Sequence, residues 1–225
     1  MRSCRLIVPM FCTSPNCCLV NPAPDQVSAL QATFASPAMA RLLLFFAVHP
    51  EEPLHVRELY RRTGLGMASL QKELDRFQRL GLIEKSKEGR KILYRLNLAS
   101  DRWRAMRTLV RKLAAPSEIL REAFTGVPGV EAAFVFGSQA RGEMREDSDV
   151  DLFLVADEHA SRAVQEPLSE AEALIGRDVD VITYSPAALR ARLDSGNHFV
   201  RRVRREPKQW IAGDPTAWRE MEADA

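Results

Sequence analysis

Hydrophobic residues in the first half of the chain recur mainly at the spacing of amphipathic helices. Leu70, Leu74 and Phe77 fall on one face of such a helix, and Gly81 provides its C-terminal stop. A pair of short strands with a charged tip follows this helix. The predicted elements are helices over residues 36–48, 55–64 and 67–81 and strands over residues 82–86 and 91–97.

One more amphipathic helix is predicted at residues 101–115, between the two halves of the chain. Its apolar stripe consists of Trp103, Met106, Val110 and Leu113. A stripe of this kind either pairs with a second copy of the chain or packs on its own domain. We expect the chain to form a homodimer through this helix.

Short apolar strands and helices follow one another in the second half. Acidic residues interrupt two of the strands, and a basic amphipathic helix lies near the C-terminus. The predicted strands cover residues 131–136, the stretch from residue 149, residues 176–186 and residues 210–211, and the predicted helices follow Pro116, begin at Gln139, and cover residues 187–194 and 199–205.

Charge divides the chain into a basic first half and an acidic second half. Residues 1–125 contain 20 Lys and Arg against 11 Asp and Glu, whereas residues 126–225 contain 12 against 19, so the net charges are +9 and −7. This asymmetry predicts two domains with different partners, and the basic domain suits a polyanion. The longest apolar stretch is too short to cross a bilayer, so we expect a cytoplasmic protein that binds no membrane.

The cysteines are confined to the first 18 residues, in a segment rich in Pro and Ser. Their spacing matches no zinc pattern and does not indicate a disulfide framework, although a metal or redox role is the lesser alternative. We interpret residues 1–30 as a disordered leader. The four cysteines are Cys4, Cys12, Cys17 and Cys18.

The order helix, helix, tight turn, helix and basic hairpin is typical of a winged helix-turn-helix. Over residues 38–97 the chain resembles the arsenical-repressor-like and MarR-like winged-helix regulators, in the stretch SLQKELDRFQRLGLIEKSKEGRKILYRLN. The resemblance implies that the helix from Met67 enters the DNA major groove. Solvated charge and a protein-interaction module are the alternatives. The residues expected at DNA are Ser69, Gln71, Lys72 and Arg76 on the helix and Lys85, Lys87, Arg90 and Lys91 on the hairpin.

A glycine, a serine and three carboxylates in the second half indicate phosphate chemistry. Gly137 and Ser138 follow an apolar strand and precede a helical turn, whose free N–H groups suit a phosphate. Asp149 and Asp151 lie one residue apart at the start of the next strand, so both face the same side. Phosphates opposite paired carboxylates require a divalent cation such as Mg²⁺ between them. Asp180, in a later apolar strand, completes a site for two metal ions.

Two stretches, GSQARG and SDVDLFLV, match the Gly-Ser and Asp-x-Asp signature of the DNA polymerase beta-like nucleotidyltransferase superfamily. They resemble its minimal nucleotidyltransferase (MNT) group most closely, and DVDVITY resembles the strand that carries the third carboxylate of that group. The resemblance covers residues 117–213. It implies transfer of a nucleotidyl group from an NTP, with ATP favoured, to a protein or small-molecule hydroxyl, with release of pyrophosphate.

The same resemblance implies a role for each residue of the site. Asp149 and Asp151 would hold two ions of Mg²⁺ or Mn²⁺. Asp180 would bind one of these ions and help to deprotonate the acceptor hydroxyl. The residues that would bind the nucleotide are Gly137, Ser138 and Arg141.

The sequence therefore predicts an α+β fold class: a winged helix-turn-helix domain followed by a nucleotidyltransferase-fold domain with a mixed sheet and flanking helices. Three functions stay open: a DNA-binding nucleotidyltransferase, a transcription regulator that only senses nucleotide, and an antitoxin-like partner of a HEPN toxin. The expected boundaries are a leader at 1–30, a winged helix at 31–100, a linker or dimerisation helix at 101–116, a nucleotidyltransferase domain at 117–213 and a tail at 214–225.

Overall fold

The computed structural model describes most of the 225-residue chain. Most of the predicted leader and of the predicted tail lies outside the described residues, as do Ala35, Glu52, Arg90 and the loop 143–147. The described residues are 28–34, 36–51, 53–89, 91–142, 148–213, 215 and 218.

Local sequence signals set the ends of the N-terminal helices. The Ser36 hydroxyl accepts a hydrogen bond from the Met39 backbone N–H (3.2 Å), and Pro37 occupies the first turn, so a helix begins there. Gly64 ends the next helix with a φ of 67°, in the left-handed region. The elements of this half are α1 (Ala29–Thr33), α2 (Pro37–Val48), β1 (Leu54–His55), α3 (Val56–Thr63), α4 (Met67–Arg79), β2 (Ile83–Glu88), β3 (Lys91–Leu96) and α5 (Asp101–Leu113).

β1, β3 and β2 form a small antiparallel sheet in that order. Within the β2–β3 hairpin, Lys87 pairs with Ile92 and Glu88 pairs with Lys91. Directly paired residues share a face of a sheet, and successive residues alternate between faces. Lys85 and Lys87 therefore lie on one face of the hairpin, and Lys91 lies on the other.

The apolar stripe of α5 packs within its own chain. Trp103 and Val110 are buried, and Met106 and Leu113 pack against the same core, where α5 contacts α1 and α2. The stripe is therefore largely covered by its own chain, with Met106 and Leu113 half-buried. This packing favours the alternative that the stripe packs on its own domain, and the homodimer stays a prediction.

The second half contains a four-stranded mixed sheet. Its strand order is β6-β5-β4-β7, with β5 and β6 parallel and the other two pairs antiparallel. The elements are α6 (Pro116–Ala123), β4 (Val130–Val135), α7 (Gly137–Ala140), β5 (Val150–Ala156), α8 (Glu158–Ala163), α9 (Gln165–Ile175), β6 (Val179–Tyr184), α10 (Pro186–Asp194), α11 (His198–Arg205) and β7 (Gln209–Gly213).

Some elements differ from the sequence-based expectation. The helix predicted from Gln139 begins two residues earlier, at Gly137, and consists of a single turn. The short elements α1 and β1 and the helices α8 and α9 were not predicted. The mixed sheet with flanking helices in the second half agrees with the predicted α+β class.

The two halves of the chain share one hydrophobic core. One cluster of buried residues extends from Leu30 in α1 to Ile211 in β7, and α2 contacts both α6 and α9. A second cluster, on the other face of the mixed sheet, contains the ring stack of Phe134 and Phe153. Within the described part of the chain, we find no helix long and apolar enough to span a membrane.

Charged side chains cross the contact between the halves, inside this core. Glu122 of α6 is 1% exposed, and its Oε2 lies 2.7 Å from Arg41 Nη1 of α2. His49 Nε2, after α2, lies 3.8 Å from Glu122 Oε1. Arg41 Nε also donates a hydrogen bond to the Thr63 carbonyl at the end of α3 (3.3 Å). Burial raises the pKa of Glu122, and the charges of Arg41 and Arg62 oppose that rise.

Candidate active site

Three predicted carboxylates lie on two neighbouring strands. Asp149 precedes β5, Asp151 is the second residue of β5, and Asp180 is the second residue of β6. The parallel register pairs Asp151 directly with Asp180. Because both strands are parallel and paired residues share a face, the side chains of Asp151 and Asp180 project to the same side of the sheet. Asp149 lies two residues before Asp151 and therefore faces the same side.

Gly137 brings the chain against these carboxylates. Its φ is 72°, in the left-handed region, and a Cβ added there would lie 2.4 Å from Asp151 Oδ2. The backbone N–H of Phe136 donates a hydrogen bond to the Asp151 carbonyl (3.1 Å), which fixes the two segments side by side. Glycine is thus required both by backbone conformation and by the close approach of a carboxylate.

The carboxylates act on one another electrostatically. The pKa of Asp151 is raised, first by partial burial and then by the negative charges of Asp180 and Asp149. Glu206 adds to this rise, and Arg202 opposes it. A negative field of this kind favours a bound cation.

The three carboxylates offer oxygen ligands of the kind that a divalent cation such as Mg²⁺ takes. Among the described residues, none forms a hydrogen bond or an ion pair with the side chains of Asp149, Asp151 or Asp180. The described part of the chain also contains no group of three or more His, Cys, Asp or Glu arranged to hold a metal ion by themselves. Mg²⁺ commonly binds one or two carboxylates together with substrate phosphate oxygens, and this arrangement suits that mode.

The α7 turn supplies the other predicted nucleotide-binding residues. Ser138 is half-buried in this turn, and Arg141 follows its end. Arg141 Nη1 lies 3.4 Å from Glu206 Oε1, beyond α11. The Gln139 carbonyl accepts a hydrogen bond from the Gln209 side chain of β7 (3.2 Å), which anchors the turn to the far edge of the sheet.

Sequence reasoning missed Glu206. It follows the basic run of α11 and is separated from Arg141 by more than 60 residues, so no local pattern connects the two. Asp178 lies two residues before Asp180 and has an exposed side chain just before β6. Its carbonyl accepts the Val150 N–H (3.1 Å), which indicates a backbone role in aligning β5 with β6.

The residues predicted to contact DNA are all exposed where the structure describes them. On α4, Ser69, Gln71 and Lys72 are exposed opposite the buried stripe that contains Leu70. Arg76 is also exposed, and its Nη1 lies 3.7 Å from the buried Glu73. On the hairpin, the described residues are Lys85, Lys87 and Lys91, and Arg90 lies outside the described residues.

Residues 118–197 match the family described as Polymerase beta, Nucleotidyltransferase, and this range includes all three carboxylates. The protein adenylyltransferase MntA of Thermococcus cleftensis is 43% identical over 74 residues, which cover 32% of this chain and 71% of MntA. A Methanocaldococcus jannaschii protein, named provisionally as a protein adenylyltransferase, is 41% identical over 58 residues, or 25% of this chain. The chain spans 62% of the length of that relative.

A chain of a solved toxin–antitoxin complex with AMP-PNP is also similar. It covers 49% of this chain and 83% of its own length, with a TM-score of 0.32 and 15% identity. That similarity is too low to support a statement about fold or function.

The sequence similarity over residues 118–197 identifies the family of this chain. The chain belongs to the polymerase beta nucleotidyltransferase family, within the minimal group that contains relatives such as MntA. The matched residues begin at 118, so the elements α1 to α5 lie outside this similarity.

Proposed function

We propose that the protein transfers a nucleotidyl group, favouring AMP from ATP, to a hydroxyl group and releases pyrophosphate. The observation that carries this proposal is the direct pairing of Asp151 with Asp180, with Asp149 beside them and Gly137 packed against Asp151. This arrangement concentrates negative charge next to a turn that suits phosphate. The names of the relatives favour adenylyl transfer to a protein.

In the proposed reaction, the acceptor hydroxyl oxygen attacks the α-phosphorus of the nucleotide. The bond between that phosphorus and the bridging oxygen breaks, and pyrophosphate leaves with the electron pair. Asp180 accepts the hydroxyl proton, while Gly137 and Ser138 hold the triphosphate through the α7 turn. Two divalent cations, Mg²⁺ or Mn²⁺, bound by Asp149, Asp151 and Asp180, would neutralise the charge that develops on the phosphate oxygens.

A label-transfer assay tests this function. The protein is mixed with each α-labelled NTP and Mg²⁺ or Mn²⁺, with and without cell lysate, beside the Asp149→Asn/Asp151→Asn double variant. We expect label on a macromolecule and released pyrophosphate with the unaltered chain, and neither product with the double variant. Nucleotide binding without turnover in every combination would contradict the proposal and favour the nucleotide sensor. Label on a small helical HEPN-type protein would identify the proposed toxin partner.

We propose a second function for the first half: DNA binding by a winged helix. The observation that favours it is the exposed polar face of α4, where Gln71 and Lys72 lie opposite a fully buried leucine stripe. Lys85 and Lys87 extend the positive charge along one face of the adjacent hairpin. Lys91 lies on the opposite face, which also contains Glu84 and Glu88, so we expect it to contribute less.

The salt dependence of DNA binding tests this second function. The Lys72→Ala/Lys87→Ala variant is expected to bind a short mixed-sequence duplex more weakly. The slope of log affinity against log salt should become less negative by about 2, because two phosphate contacts are lost. Arg107→Ala/Lys112→Ala removes the same charge from exposed positions of α5 and is the matched control. Equal effects of both double variants, or no DNA binding by the unaltered chain, would exclude this surface.

A further inference from the structure

A cavity of about 450 Å³ lies beside α11, and basic side chains dominate its lining. Its volume is within the range of small-molecule sites. We call it the α11 cavity; its lining residues are His198, Arg201, Arg202, Arg205, Glu206 and Pro207. The family match ends at residue 197, directly before α11, so it does not include the residues that line this cavity.

The cavity is connected to the candidate active site through Glu206. Its Oε1 lies 3.4 Å from Nη1 of Arg141, which follows the α7 turn, and 3.8 Å from Nε of Arg202. Both Arg202 and Glu206 are also close enough to the carboxylates to influence Asp151 electrostatically. The cavity therefore lies close to the carboxylates, and Glu206 contacts Arg141 beside the α7 turn.

The arginines of the cavity are partly ordered by their surroundings. The guanidinium carbon of Arg202 lies 5.5 Å from the centre of the Phe199 ring. The guanidinium of Arg201 lies over Gly196, where a Cβ would come within 2.8 Å of Nη2. Guanidinium groups held in this way lose less entropy on binding an anion, and their planar donors match the geometry of a phosphate group.

Glu206 is the acidic member of this set, and its contacts are loose. Both of its arginine distances exceed the usual hydrogen-bond range of about 2.7–3.2 Å. Ion pairs at partly exposed positions such as Arg202 are weak, so an anion with several charges can replace the carboxylate. Glu206 thus occupies a position between two arginines that suits a phosphate group.

We propose that the α11 cavity binds the polyphosphate end of the nucleotide, with Arg141 and Arg202 released from Glu206 to hold it. Glu206 then acts as an internal competitor that neutralises these arginines when no nucleotide is bound. This proposal rests on the proposed transferase function for the identity of the ligand. It assigns α11 a positioning role: the helix would orient the departing pyrophosphate away from the carboxylate pair.

Binding of inorganic tripolyphosphate, measured by calorimetry in the presence of EDTA, tests the proposal without metal or turnover. Glu206→Gln is expected to bind about fivefold more tightly, because the competing charge is gone. Arg202→Ala is expected to bind about tenfold more weakly, because a charge-assisted contact is lost. Arg192→Ala, at an exposed position of α10, is the matched control and should bind like the unaltered chain. Melting temperatures verify that each variant is folded.

Absence of tripolyphosphate binding, or equal binding by all four proteins, would overturn the cavity proposal. Label transfer measured on the same samples separates it from the transferase function. Unchanged label transfer by Glu206→Gln and Arg202→Ala would exclude the cavity proposal but not the transferase function. Tripolyphosphate binding that changes in these variants, with no label transfer by the unaltered chain, would support an anion site and exclude the transferase function.

Discussion

Replacing Asp151 by Asn is expected to reduce nucleotidyl transfer roughly 10³-fold, a loss comparable to removal of a central electrostatic group from an active site. Asn keeps the size of the side chain and the register with Asp180, but it removes the charge that would hold a cation. The measurement is the initial rate of pyrophosphate release at saturating NTP and metal. The melting temperature should change little, since the carboxylate makes no described hydrogen bond that orders the fold.

Asp178→Asn is the matched control for this loss. Asp178 lies two residues before Asp180, with an exposed side chain, and its structural contact is made by the backbone carbonyl, which Asn retains. We expect its rate to remain within about twofold of the unaltered chain, as for most surface substitutions. Equal losses in both variants would show that the Asp151–Asp180 pair is not the reactive centre.

The pH dependence of nucleotidyl transfer should reflect the protonation of Asp151. Partial burial and the charges of Asp180 and Asp149 raise the pKa of Asp151 above that of an ordinary aspartate. A protonated Asp151 cannot bind a cation, so activity should be lost as the pH falls through this raised pKa. The loss should therefore occur at a higher pH than an unperturbed Asp would produce, and added metal should shift it to lower pH.

The elements around the site were predictable because their patterns are strong. Apolar residues on both sides of Asp151 and Asp180 indicate strands. The few residues between Gly137 and Asp149 limit where the strand that contains Asp151 can begin. The exact pairing of Asp151 with Asp180 was not predictable, because the 28 residues between them include two helices, α8 and α9. A shift of the strand register by one residue would turn one of the two side chains to the other face of the sheet. α8 and α9 escaped prediction because alanines such as Ala160 and Ala171 mark their buried face only weakly.

The apolar sequence of α2 indicates the shared core of the two halves, but the charge asymmetry favoured an interpretation as two separate domains. α2 contains nine buried residues among its 12, so it is apolar on nearly all sides. A helix of that kind must be covered from several directions. α4 and α5 cover part of it, and α6 and α9 of the second half cover the rest. The predicted boundary near residue 116 thus separates the two sheets but not the core between them.

This arrangement gives the two proposed activities a physical connection. Arg41 of α2 contacts both Glu122 in the second half and the carbonyl of Thr63, at the turn that leads to α4. Arg41 therefore connects the turn before α4 to α6, and it cannot move away from the fully buried Glu122 without leaving that charge unpaired. Removal of one member of this buried pair should destabilise the contact between the halves.

Arg41→Met is expected to lower the free energy of unfolding by about 3 kcal/mol at neutral pH, because it leaves Glu122 buried without its partner. The loss should grow as the pH rises. Burial already raises the pKa of Glu122, and removal of Arg41 would raise it further, so at low pH the carboxyl is neutral and the cost is small. Urea unfolding at pH 5 and pH 8 measures this difference.

Two further variants make this prediction specific. Arg57→Met removes an exposed arginine of the neighbouring α3 and should leave stability within about 0.5 kcal/mol of the unaltered chain at both pH values. The double variant Arg41→Met/Glu122→Leu should recover most of the lost stability and its pH dependence, because a buried pair replaced by apolar residues leaves no uncompensated charge. A double variant as unstable as Arg41→Met alone would mean that Arg41 acts through its contact with Thr63, and that Glu122 is not the residue that joins the halves.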